Sequence, residues 1–358
     1  LRDRGGFSLR KLRSNSRVVM EQIPEELRAP PGPAKTLGYD WDPELDVLSL
    51  RGPKFNEEKI MSRPITPRVM LHTVPTIFDP LGIYISLRTK LKLKQHEAQA
   101  SFSIDQPLPE QMQQEFRSLL QKAKQIPEVK VPRMVAVRSR PVNLFLCSDA
   151  TPSIAAGAVY IHQPSEDGRT AKVNLFFARD RIVKYKQTSA PRAEAAGLYI
   201  AHRIGTFVRK LLNRAGIPIN KIILFNDNKA VLTAVSGHQP IKQRFFANRL
   251  LEIRGDKDVE LRYWPSSSLP CDGMTRGLSA KRYAGSTVPH GPPEWNLPLE
   301  DVPFFAIPHI EDHDLDFLTK QAKQVRAYLS VVTRSQTAKE RAKKMGKSSV
   351  GEQQTSQK

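Results

Sequence analysis

Four acidic residues in the second half of this sequence stand where carboxylates can meet. Asp149 closes the apolar run Leu144-Phe-Leu-Cys-Ser-Asp-Ala150, and Asp227 follows a second run, Lys221-Ile-Ile-Leu-Phe225. Glu194 lies one helical turn ahead of Leu198 on an apolar stripe, and Asp272 opens a short segment of helical character. Carboxylates crowded into a low-dielectric site repel one another, and a divalent cation is the usual relief. An all-oxygen set of hard ligands favours Mg²⁺ or Mn²⁺ over zinc. Each acid also has an ordinary role open to it: turn former or helix cap for Asp149, Asp227 and Asp272, and complement to a helix dipole for Glu194.

These positions depend on the elements around them. The run ending at Asp149 shows no polar parity and is flanked by Pro141 and Pro152. It therefore reads as a central strand covered on both faces, with its final acid half-buried. Residues 141–281 read as strand, strand, strand, helix, strand, helix, helix, strand, helix, which is an α/β domain with a mixed sheet. The long helix starts near Ser189 and Pro191, carries Leu198, Ala201, Gly205, Val208 and Leu212 on one side, and ends near Gly216. In open α/β sheets ligands collect where strands end, so Asp149 and Asp227 can be neighbours if their strands are parallel and adjacent. Glu194, on the inward stripe, points at the sheet.

The rest of the chain is organised more simply. Turn signals and short alternating runs within residues 1–63 predict a small antiparallel sheet, and residues 64–140 predict helices. From residue 282 Pro and Gly accumulate, and the basic stretch Arg334 to Lys358 reads as a disordered tail after a linker. Two cysteines, Cys147 and Cys271, exclude a disulfide framework and a multi-cysteine zinc site. Both lie close in sequence to a candidate ligand, so their oxidation is expected to disturb the site. With 56 Lys+Arg against 36 Asp+Glu, a net charge of +20, the surface suits a polyanion, and nucleic acid fits better than membrane. Residues 142–280 alone carry 20 Lys+Arg against 11 Asp+Glu. No apolar run is long enough to span a bilayer.

Several local words resemble the Pol polyprotein of Bel/Pao long-terminal-repeat retrotransposons, and the order of strands and acids resembles the ribonuclease H fold. The words are Phe145-Leu-Cys-Ser-Asp-Ala150, Gly157-Ala-Val-Tyr160, Thr188-Ser-Ala-Pro-Arg-Ala-Glu194, Phe225-Asn-Asp-Asn-Lys-Ala-Val231, Asn248-Arg-Leu-Leu-Glu-Ile253 and Pro270-Cys-Asp-Gly-Met-Thr-Arg-Gly277. Upstream, Gly5-Gly-Phe-Ser-Leu-Arg-Lys11, Ser14-Asn-Ser16, Leu37-Gly-Tyr-Asp-Trp41 and, in the connecting segment, Phe78-Asp-Pro-Leu-Gly82 resemble the region that follows the polymerase catalytic motif.

The resemblance implies a ribonuclease H-like mixed five-stranded sheet with flanking helices. It would be preceded by a smaller α+β region derived from the end of a reverse transcriptase (residues 1–63) and a helical connecting region (64–140). It further implies cleavage of the RNA strand of an RNA/DNA hybrid with two Mg²⁺ ions, Mn²⁺ being a substitute. Asp149 would bridge both ions, Glu194 and Asp227 would hold one, and Asp272 would complete the other. Implied partners are the hybrid and other parts of the Pol polyprotein, in cytoplasmic virus-like particles and the nucleus, with no secretion. No Tyr-x-Asp-Asp occurs, so no polymerase activity is expected from this chain. Two departures stand out: the loop Pro265-Ser-Ser-Ser-Leu-Pro270 lacks the histidine many retroviral relatives carry there, and Asn228 replaces a serine. A non-catalytic remnant that binds nucleic acid through charge is the alternative. His309-Ile-Glu-Asp-His313 has metal-like spacing, but no later cysteine completes a zinc module.

Overall fold

A computed structural model describes residues 9–183 and 189–319. The first part of the chain holds α1 (Arg17–Glu21), β1 (Ala34–Thr36), β2 (Tyr39–Asp42) and β3 (Val47–Leu50). Four helices follow: α2 (Glu57–Ser62), α3 (Pro67–Thr73), α4 (Ile85–Ser101) and α5 (Glu110–Ala123). After β4 (Lys130–Pro132) come β5 (Val142–Ala150), β6 (Ile154–Pro164), β7 (Ala171–Ile182), α6 (Ala190–Arg214) and β8 (Ile219–Asn226). The chain continues through α7 (Lys229–Ser236), α8 (Arg244–Gly255), β9 (Val259–Tyr263), α9 (Pro270–Arg276) and α10 (Ala280–Tyr283). The order from β5 to α9 is the one that the hydrophobic periodicity predicts.

The larger sheet has the order β7-β6-β5-β8-β9. Strands β5, β6 and β7 pair antiparallel, as hairpins must, whereas β8 and β9 run parallel to β5 after helical crossovers. This is the mixed, five-stranded, ribonuclease H-like sheet with flanking helices. β5 is its central strand and is buried from Val142 to Asp149. Val142, Leu144 and Leu146 pack beneath α6, α7 and α8, while Phe145 and Cys147 face the opposite layer.

That opposite layer is shared with the N-terminal half. One continuous core runs from Tyr39 and Leu50, through Tyr84, Leu91 and Phe116, to Phe145, Phe225 and Trp264. The small antiparallel sheet has four strands in the order β1-β2-β3-β4, the last one supplied by the connecting region. A buried aspartate ties this sheet to α4: Asp79 accepts from the Tyr39 hydroxyl (2.6 Å) and from the Tyr84 amide (3.0 Å).

The linker expected from residue 282 is corrected in part. Tyr283, Val288, Trp295, Val302, Leu315 and Leu318 are all buried. Trp295 lies among Phe145, Tyr160, Phe225 and Trp264, with ring centroids 4.9–5.7 Å away. Sparse large apolar residues, spaced by prolines, thus add to the cores on both sides of the sheet, most of them from short helical turns. Residues 320–358, including the expected basic tail, lie outside the described residues. So do residues 1–8 and 184–188, and with them parts of two of the resemblance words.

Candidate metal centre

Parallel pairing of β5 and β8 brings two strand ends to one level: Cys147 registers with Phe225, and Asp149 and Asp227 each follow two residues later. The Asn226 side chain fastens these ends, its amide donating to the carbonyl and hydroxyl oxygens of Ser148, both at 3.0 Å. Its own oxygen accepts from the Asn228 amide at 2.8 Å, and Asn228 caps α7 by accepting from Val231. The asparagine in place of serine is therefore a helix cap, which either residue type can provide.

Glu194 arrives from the far side on α6. This helix lies close to the sheet because small residues line the contact. A Cβ on Gly157 would come within 2.5 Å of the Ala201 backbone nitrogen, and one on Gly197 within 3.0 Å of the Asp149 carbonyl oxygen. The second turn of α6, from Glu194 to Gly197, therefore sits directly over the end of β5. One carboxylate oxygen from each of Asp149, Glu194 and Asp227 lies within 4.8 Å of the others.

The electrostatics fit a cation. Burial pushes the Glu194 carboxyl up from 4.5 to about 9, with the charges of Asp149 and Asp227 adding to the shift and an Asn226 hydrogen bond opposing it. Burial likewise raises Asp149, opposed by the Thr275 hydroxyl and reinforced by Asp227 and Asp272. Asp227 is raised by burial, opposed by a Ser266 hydrogen bond. Glu194 Oε2 is buried and has no hydrogen-bond partner. An orphaned carboxylate oxygen among three mutually repelling, all-oxygen groups is what a hard divalent cation would satisfy.

Asp272 takes a different position. It occupies the first turn of α9, with Arg276 Nε donating to its Oδ1 at 2.6 Å. Its charge reaches Asp149 and Asp227, yet its carboxylate is outside the close group of three. Beneath it, Cys147 and Cys271 are fully buried, with their sulfurs 2.8 Å apart. His309 and His313 are exposed, and His313 pairs with Asp314 at 3.4 Å. His202 is buried on α6 against Asp256 (Nε2 to Oδ2 3.0 Å), a structural pairing.

Sequence reasoning missed Asn226, Ser266 and Thr275. The serine loop that lacks a histidine supplies Ser266 to Asp227. Thr275 Oγ1 donates to Asp149 Oδ2. Polar residues beside an acidic motif were the available signal, but neither carries periodicity that would mark it.

Residues 66–228 match the family described as the Pao retrotransposon-like RNaseH-like domain, a stretch that includes Asp149, Glu194 and Asp227 and stops short of Asp272. No curated protein matches the chain. Among solved structures, the chain is similar to a foamy viral protease-reverse transcriptase in complex with double-stranded DNA. Identity there is 10%, with 67% of this chain and 38% of that one covered and a TM-score of 0.40. The foamy viral enzyme in complex with RNA/DNA hybrid gives 9% identity, 67% and 30% coverage and a TM-score of 0.39. RNase H1 from the halophilic archaeon Halobacterium salinarum gives 14% identity, 36% and 87% coverage and a TM-score of 0.24. The chain spans less than half the length of these foamy viral proteins.

Proposed function

Because this chain carries a Pao retrotransposon-like RNaseH-like domain, we propose that it is the nuclease part of a retroelement Pol polyprotein. It hydrolyses the RNA strand of an RNA/DNA hybrid with divalent cations. The observation that supports this most is the convergence of Asp149, Glu194 and Asp227 at the ends of the central strands. Residues 1–63, in this reading, derive from the end of a reverse transcriptase and residues 64–140 connect it to the nuclease.

Asp149, Glu194 and Asp227 would hold the cation, and Asp272, released from Arg276, would complete a second position shared with Asp149. Mg²⁺, or Mn²⁺ in its place, would supply Lewis-acid activation of water and charge stabilisation at the leaving oxygen. The chain's own contribution is positional. Asn226 holds the two strand ends in register, Thr275 and Ser266 each restrain one carboxylate, and α6 excludes water behind Glu194. Arg276, 70% exposed beside the site, is placed to meet a phosphate once Asp272 turns away. The basic surface binds the hybrid through phosphates and 2′-hydroxyls rather than base edges.

The test is cleavage of a labelled RNA/DNA hybrid by the purified chain in Mg²⁺, beside Asp149→Asn and with EDTA. RNA-strand cutting that disappears in both controls is the expected result. Salt-sensitive binding with no cutting in Mg²⁺ or Mn²⁺ overturns the proposal in favour of a binding remnant.

A further inference from the structure

We infer that Thr275 is a positioning residue: its hydroxyl fixes the Asp149 carboxylate for cation binding, and helix α4 of the connecting region holds Thr275 in place. The inference rests on the cation site proposed above. Thr275 is 1% exposed, although its hydroxyl has two acceptors in reach, Asp149 Oδ2 and, at 3.1 Å, the carbonyl of Asp272. A hydroxyl has one proton to give. When Asp149 is ionised, as a cation ligand must be, its carboxylate is the stronger of the two acceptors and takes that proton. With Oδ2 restrained, the Asp149 carboxylate is held where one of its oxygens lies within 4.8 Å of Glu194 and Asp227. Valine has the shape of threonine without this donor, so the hydroxyl is separable from the packing.

The position of α9 is set from α4. The Thr89 hydroxyl has the Met274 carbonyl at 2.7 Å and the Ile85 carbonyl of its own helix at 2.9 Å as acceptors, and the Leu278 amide donates to the Ser86 carbonyl at 2.8 Å. Gly277, at φ 75°, closes the helix against this surface: a Cβ there would lie 3.3 Å from the Ser86 carbonyl oxygen and 3.4 Å from the Thr89 Cβ. Both α4 partners are buried, at 1% for Ser86 and 0% for Thr89. Two backbone carbonyls and one hydroxyl thus carry the register of α4 to α9, and Thr275 carries it to Asp149.

The test is Mn²⁺ binding measured by calorimetry on the full chain, with hybrid cleavage against Mn²⁺ concentration as a second readout. Thr275→Val should bind Mn²⁺ about ten-fold more weakly, the lower end of what removing a ligand's outer partner costs. Thr275→Ser should stay within about three-fold of the parent, because the donor is restored. Thr89→Val should weaken Mn²⁺ binding in the same direction. If Thr275→Val does not fold, Thr275→Ala carries the comparison with serine. Parent-like Mn²⁺ affinity in the valine or alanine variant overturns the inference, as does equal weakening by serine. Mn²⁺ binding by the parent without cleavage overturns the proposed hydrolysis and leaves the role of Thr275 standing. No Mn²⁺ binding by the parent overturns both.

Discussion

The Asn226 side chain donates twice to Ser148, bridging β8 to β5 one residue before each strand delivers its aspartate. Replacing it by alanine removes both of these donors from a fully buried Ser148. The expected cost is about 1–3 kcal/mol in urea unfolding, the penalty of an orphaned buried group. Cation affinity should fall with it, since the two strand ends lose their tie. Asn226→Asp should be worse, because it adds a fourth acid behind the three.

Stability of the metal-free chain should fall as pH rises. The folded-state pKa of Glu194, about 9, is above its ordinary 4.5, so between these values the folded chain holds a proton that the unfolded chain has lost. The stabilisation is complete below about 4.5 and is lost as pH climbs through 9. Thermal unfolding from pH 5 to 9 should show this slope, and Glu194→Gln should flatten it. Added Mg²⁺ should oppose the slope, most at the high end, because it favours the ionised carboxylates.

Gly157→Ala tests the close approach of α6 to the sheet. The added methyl would meet the Ala201 backbone rather than a side chain that can turn away. A destabilisation of about 1–3 kcal/mol, typical of overpacking, is expected in equilibrium unfolding. Weaker Mn²⁺ binding should accompany it, since Glu194 moves with the helix.

Ending the chain at residue 281 should prevent folding, whereas ending it at 319 should not. The longer form keeps Trp295 in its aromatic nest and Leu315 and Leu318 beneath the helices. Trp295→Ala in the whole chain should cost about 3–5 kcal/mol, as large-to-small changes in cores do. Urea unfolding and limited proteolysis report both outcomes.

Peroxide should inactivate through the cysteine pair. Two thiols and one hydrogen peroxide give one disulfide and two waters, and Cys147 and Cys271 are already in contact between β5 and α9. Closing that bond would draw α9 toward β5 beneath Asp149 and Asp272. Cleavage activity should fall with peroxide, recover with dithiothreitol, and be spared in Cys147→Ala. Equal sensitivity of that variant would dismiss the idea.

The elements that carry Asp149, Glu194 and Asp227 were legible because their signals are local. A nine-residue apolar strand, a Ser and Pro helix start, and a stripe ending near a glycine each need only neighbours in sequence. The partners of those acids were not legible. Asn226, Ser266 and Thr275 are small polar residues whose value comes from which backbone they meet, and that is decided by tertiary pairing. Trp295 was missed for a related reason: proline-rich surroundings look like a linker when the apolar residues are few, but one tryptophan fills the space of several smaller side chains. Asp272 was legible as an acid in a first helical turn, while its pairing with Arg276 depends on the i,i+4 spacing of a helix only seven residues long.

Strand β4 has a consequence for synthesis. The ribosome releases β1, β2 and β3 well ahead of β4, and β3 finds its outer partner only when residues 130–132 emerge. Until then the Leu48 and Leu50 face lacks part of its cover, and α4 waits longer still for α9. The nascent chain therefore holds open apolar surface from the emergence of β3 until α9 has followed, and chaperone capture during that interval is the natural point at which its yield is decided.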